Sequence, residues 1–202
     1  MTPLRRFVLA ALLVLASLGA GARAQPPGAA VPECPPVADT LTGALAPPAP
    51  LPRLAAALRP GGHLAVLAVG SASTAAGLYL AGLRQGLAAA RPDLIAAITV
   101  AAARGEDAAD ALGRLQAALG RARYDLVLWQ TGTVDAVRGA SPDALADALD
   151  QGAQDIAQHG ASLVLIDPQF SRLMRANVDL EPYETALRAV ALRPDAALFP
   201  RG

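Results

Sequence analysis

Residues that could do chemistry gather at four points of the chain, each directly after an apolar run. Ser71, Ser73 and Thr74 lie in "GSAST" after "LAVLAV", and Arg104, Gly105 and Glu106 follow "ITVAAA". Gln130, Thr131, Thr133 and Asp135 lie in "QTGTVD" after "LVLW", and Asp167 and Gln169 follow "LVLI". Hydroxyls, carboxylates and glycine-bearing turns are the ingredients of acyl transfer. A serine attacks, a base takes its proton, and N–H groups hold the negative charge that develops on the carbonyl oxygen. The base is the weak part of this set. The two histidines, His63 and His159, precede apolar runs instead of following them. A carboxylate of ordinary pKa, near 4, is a poor base for a serine hydroxyl.

The elements that must position these residues follow from periodicity. "HLAVLAV", "LIAAITVA", "YDLVLWQTG", "ASLVLID" and "AALFP" read as strands. Between them lie "AAGLYLAGLRQGLAAARP", read as one helix ended by Pro92, then "GEDAADALGRLQAALG", then "SPDALADALDQGAQDIAQHG", then "EPYETALRAVAL". Ser141 is the expected N-cap of the third, with Pro142 at its first position and Gly160 as its stop. A short helix is expected at Leu54 to Leu58. Alternation of this kind predicts a three-layer α/β/α fold around a parallel, flavodoxin-like sheet of about five strands, in the order 2-1-3-4-5. Sites in such sheets lie at the carboxyl ends of the strands. All four polar clusters fall on that rim, and both histidines fall on the other.

Composition bounds the rest. All 17 basic residues are arginine, which excludes a P-loop lysine and Schiff-base chemistry. "MTPLRR", the apolar "FVLAALLVLASLGA" and "GARA" read as a signal peptide over residues 1–24, cut before Gln25. The apolar segment is short for a span of about 20 residues, so the membrane is met only through the uncleaved signal. A periplasmic or secreted protein is expected. Removing the signal leaves 14 arginines against 17 acids, which offers no basic footprint for nucleic acid. Residues 25–52 are rich in proline and read as a linker, and residues 53–202 as the folded domain. The lone Cys34 can form no intramolecular disulfide. No HExxH, paired cysteines or other metal-ligand spacing appears, and "GSAST" lacks the dinucleotide fingerprint, so neither metal nor cofactor is expected.

Taken in order, "AVGSAST", "RGEDAADALGRL", "YDLVLWQTGTVDAVRG" and "LVLIDPQFS" resemble the SGNH/GDSL hydrolases, specifically their exported bacterial branch, over roughly residues 60 to 200. The resemblance implies an esterase, lipase or carbohydrate deacetylase that needs no metal. It implies a nucleophilic serine after strand one, oxyanion donors after strands two and three, and a base in a late Asp-x-x-His. Carried over residue by residue, Gly70 matches the first block, but Ala72 stands where the nucleophile belongs. Ser71 takes the position usually held by aspartate, and Ser73 follows the nucleophile position. The oxyanion glycine falls near Ala102, which keeps its backbone N–H, and Gly105 matches the later glycine of that block. Gly132 and Thr133 match the third block, where Val134 replaces the asparagine; loss of one such donor costs about 100- to 1,000-fold in rate. No histidine follows His159.

The expectation is therefore an exported hydrolase-like protein that is catalytically impaired or silent. Its pocket, formed by Ser71, Ser73, Thr133, Asp135 and Asp167, would bind a glycan or acyl ligand. Two alternatives stand beside it. One is a working esterase or deacetylase using Ser71 or Ser73 with Asp135 or Asp167 as base. The other is a periplasmic binding or interaction domain with no hydrolase pocket.

Overall fold

The computed structural model describes residues 50–168 and 171–201. The expected signal peptide, Cys34, the proline-rich stretch up to residue 49, and Gln169 lie outside the described residues. Among the described residues no helix is long and apolar enough to cross a membrane.

Five strands form one parallel sheet: β1 (His63–Gly70), β2 (Ile95–Ala102), β3 (Leu126–Gln130), β4 (Ser162–Ile166) and β5 (Ala196–Phe199). Their order is β2-β1-β3-β4-β5, as the alternation of elements predicts. Interior strands of a parallel sheet are buried on both faces and read as unbroken apolar runs. This is why "LAVLAV" and "LVLW" show no polar alternation. Successive side chains point to opposite faces and meet different helices. Leu67, Val69, Val127, Trp129, Leu163 and Leu165 pack under α4 (Ala108–Leu119), α6 (Pro142–Gln158) and α8 (Glu181–Ala191). Leu64, Val66, Ala68, Leu126 and Leu128 meet α3 (Leu78–Ala90) and the short α1 (Pro52–Ala57).

Two joints hold particular positions. Helix α1 has no side-chain cap of its own. Its first N–H groups are satisfied from the sheet: Arg53 N–H donates to Asp195 Oδ1 (3.0 Å) and Leu54 N–H to Ser162 Oγ (3.1 Å). On the other face, a Cβ added at Gly152 of α6 would stand 2.8 Å from Cη2 of the fully buried Trp129, so only glycine admits the indole there.

The elements differ from the sequence reading in three places. The segment expected as a single helix after β1 is two: α2 (Ala72–Ala76) and α3, separated by Gly77 at φ +72°. A residue in the left-handed region ends a helix, and glycine enters it without steric cost. Two six-residue helices, α5 (Thr133–Arg138) and α7 (Arg172–Asn177), occupy stretches with too few turns to show a period.

Candidate functional site

Strand β1 runs into the rim at Gly70, whose φ is +154°. A Cβ here would stand 2.8 Å from the Gln130 carbonyl oxygen and 2.5 Å from Thr74 Oγ1. Glycine therefore lets β1 and β3 close up as they reach the rim. The chain then turns through Ser71 into α2, and three hydroxyls follow in quick succession.

Each of these hydroxyls is engaged. Ser73 Oγ donates a short hydrogen bond to the Gln130 side-chain oxygen. Thr74 Oγ1 donates to the same oxygen at 3.0 Å and lies 3.1 Å from the Tyr79 hydroxyl. Thr74 is fully buried and Gln130 nearly so. Burial pushes the Tyr79 phenol above its ordinary pKa, with the Thr74 hydrogen bond pulling the other way. Ser71 is half-buried, and its Oγ accepts the Gly105 N–H at 3.1 Å.

Register brings the hydrolase-like blocks to one rim. Gly70 pairs with Ala102, so the ends of β1 and β2 are level. Ala72, exposed, begins α2, and Val134, half-buried, lies in the first turn of α5. Thr133 is half-buried beside it. Gly132, in the left-handed region at φ +83°, turns the chain from β3 into α5 against Pro168 and Leu187.

The carboxylates divide by role. Asp135 does not line an open pocket as the sequence suggested; it is only 3% exposed. Its Oδ1 accepts the Ala108 N–H (3.0 Å) and its Oδ2 the Gly132 N–H (3.2 Å). One carboxylate thus ties the start of α4 to the start of α5. Burial raises its pKa, and the two N–H donors oppose that rise. Asp167 is half-buried after β4; burial raises its pKa too, against a hydrogen bond from the Arg201 backbone. Glu106 accepts the Ala103 N–H at 3.0 Å and pairs with Arg114, and Asp107 caps α4 through the Asp110 N–H.

The histidines lie where the sequence put them, on the opposite rim. His63 begins β1, and His159 ends α6 with Nδ1 2.7 Å from the Asp155 carbonyl. A cleft of about 350 Å³ between Arg53, Ile156, Leu163 and Arg193 also opens on that rim, away from the hydroxyls. Among the described residues no cluster of three or more His, Cys, Asp or Glu is placed to hold a metal ion.

Two participants escape the sequence reading. Tyr79 joins the hydroxyl network from the first turn of α3, and Arg138 ends α5 with Nη1 3.3 Å from Asp107 Oδ2. Neither follows a strand directly, the only signal the sequence offers for a rim residue.

Residues 37–201 match the model of the non-GDSL lipase-like family. No curated protein matches the sequence. Among solved structures, TesA is 28% identical, with a TM-score of 0.57 over 66% of this chain and 76% of its own. AlinE4, described as an SGNH-hydrolase family esterase, is 22% identical, with a TM-score of 0.58 over 67% of this chain and 75% of its own. A variant of Axe2, an acetyl-xylooligosaccharide esterase from Geobacillus, is 15% identical, with a TM-score of 0.60 over 68% of this chain and 75% of its own. These last two likenesses concern the fold.

Proposed function

The chain belongs to the non-GDSL lipase-like family, within the SGNH/GDSL hydrolase-like proteins, and from that premise we propose that it is an exported binding protein that keeps the hydrolase rim without the hydrolase chemistry. Its ligand is a glycan or acyl group held at the carboxyl ends of β1, β2 and β3.

One observation carries this reading: the hydroxyl adjoining the nucleophile position faces an amide. Ala72 has no hydroxyl, and Ser73 donates its proton to the Gln130 side-chain oxygen. An amide oxygen is far too weak a base to accept a proton from serine, and a positioned base is what makes a serine nucleophilic. Asp135 spends both oxygens on backbone N–H groups, both histidines are on the opposite rim, and Asp167 makes no hydrogen bond to Ser71 or Ser73 among the described residues. Val134 offers no side-chain donor to an oxyanion.

Ser71 favours a second reading. It is half-buried rather than sealed, and the Gly105 N–H on its Oγ would stabilise an alkoxide. A residual esterase would act through this residue. The test is hydrolysis of p-nitrophenyl acetate and butyrate by the purified protein against a folded control of unrelated fold. Turnover no faster than the control is the expected result. Turnover that disappears in Ser71→Ala would replace this reading by the second. Export is tested separately: mass spectrometry of the periplasmic or secreted protein should find Gln25, or its cyclised form, at the N-terminus, and an intact Met1 there would refute it.

A further inference from the structure

Arg138 stands near the end of the third hydrolase-like block, and its side chain is 53% exposed. Nη1 donates to Asp107 Oδ2. Nη2 has no partner among the described residues and lies 3.7 Å from the place a Cβ would take on Gly105. Gly105 in turn gives its N–H to Ser71 Oγ. A guanidinium edge and a serine hydroxyl therefore flank one glycine, which has no side chain to part them. Because Ser71 accepts through a lone pair, its own hydrogen is left to donate outward.

The charges named around this arc balance, three arginines against three acids, but the acids are already engaged. Asp107 faces Arg138 and is spent between that guanidinium and the cap of α4. Glu106 is held by Arg114 and the Ala103 N–H. Asp135 is buried on two backbone N–H groups. Arg104, next to Gly105, is exposed and pairs with no acid among the described residues.

We propose that this arc binds a carboxylate: the planar fork of Arg138 takes one side of the group and the Ser71 hydroxyl the other. A guanidinium presents parallel N–H donors at the spacing of two carboxylate oxygens, which favours a planar anion over a tetrahedral one. The inference deepens the non-hydrolytic reading above and rests on it. The carboxylate is that of an acidic sugar or of a short acyl chain. Asp107 competes for the same fork, so the site is held partly occupied by its own acid.

The test is calorimetric titration of the full chain at fixed ionic strength with galacturonate and with butyrate, against galactose, butanol and phosphate. Either carboxylate should bind, and which of the two binds tighter distinguishes sugar from acyl chain. The neutral analogues should not bind, and phosphate should bind more weakly. Arg138→Gln should lower carboxylate affinity about tenfold or more, the scale of one lost charged hydrogen bond. Asp107→Asn should raise it, since asparagine caps a helix as well as aspartate but releases the fork. A gain of binding cannot arise from misfolding. Equal binding of neutral and acidic analogues, tighter binding of phosphate, unchanged affinity in Arg138→Gln, or no carboxylate binding would each overturn the site. Ester turnover by the same preparation bears instead on the non-hydrolytic reading, so the two failures are read in separate assays.

Discussion

Asp135→Ala removes a side chain that joins the start of α4 to the start of α5. The carboxylate is 3% exposed and accepts the N–H groups of Ala108 and Gly132. Alanine leaves both donors buried without an acceptor, at about 1–3 kcal/mol each. The expected loss is about 2–6 kcal/mol, a large share of a stability that is typically about 5–15 kcal/mol. Urea unfolding followed by circular dichroism measures it directly. A loss below about 1 kcal/mol would refute the reasoning, because it would mean that water or another group satisfies both N–H donors. Asp135→Asn keeps one acceptor oxygen but turns an NH₂ toward the second N–H, so it should fall between wild type and alanine. It also supplies a pH test. Burial raises the Asp135 pKa in the folded state, so the folded chain holds this proton to higher pH than the unfolded chain. Stability from this group is then fullest below the unfolded value, near 4, and is lost as pH rises through the folded value. Asparagine does not titrate. The advantage of wild type over Asp135→Asn should therefore grow as pH falls toward 4, and a constant difference would show that the carboxyl is not shifted.

Gly152→Ala should destabilise by up to about 2 kcal/mol, since overpacking costs about 1–3 kcal/mol and the better helix propensity of alanine returns about 1. Trp129 is the only tryptophan, so a change in its emission should accompany the loss. Asp195→Ala should release α1, whose Arg53 N–H it accepts, and should increase hydrogen exchange at Arg53 and Leu54 while the centre of the sheet stays protected. Ala72→Ser, alone or with Val134→Asn, should give no measurable hydrolysis of p-nitrophenyl esters, because triad members act as a unit and neither change supplies a base.

What the sequence revealed and what it concealed have distinct physical origins. Strand order and the placement of Ser71, Thr133, Asp135 and Asp167 on one rim follow from alternation, because a parallel sheet forces every βα turn to the same side. The break at Gly77 was hidden because glycine inside a helical pattern lowers propensity without saying whether the helix ends. Alternation puts Asp135 on the rim but carries no sign that its carboxylate is buried. Its acceptor role depends on Ala108, 27 residues earlier in the chain, and no local pattern encodes a hydrogen bond across an intervening helix and strand. Arg138 was invisible for the same reason: its neighbours Asp107 and Gly105 come to it through the sheet.

The rim separates two kinds of residue that an active hydrolase would need together. Residues that hold the backbone in place are present. Gly70 allows β1 to approach Gln130, Gly132 turns β3 into α5, and Asp135 fastens both following helices. Where the resemblance implies reacting groups, the chain has Ala72 and Val134. Loss of the holding groups costs several kcal/mol, by the reckoning given for Asp135. Polar groups surround Ala72 and Val134 on the rim. Ser73, Thr74, Gln130 and Tyr79 knit a hydrogen-bonded floor beneath it, while Ser71, Gly105 and Arg138 stay at the surface. Polar groups buried in such a network must all be satisfied to be tolerated, and a network so arranged fixes the shape of the surface above it. The rim thus keeps its backbone frame and a hydrogen-bonded polar lining together.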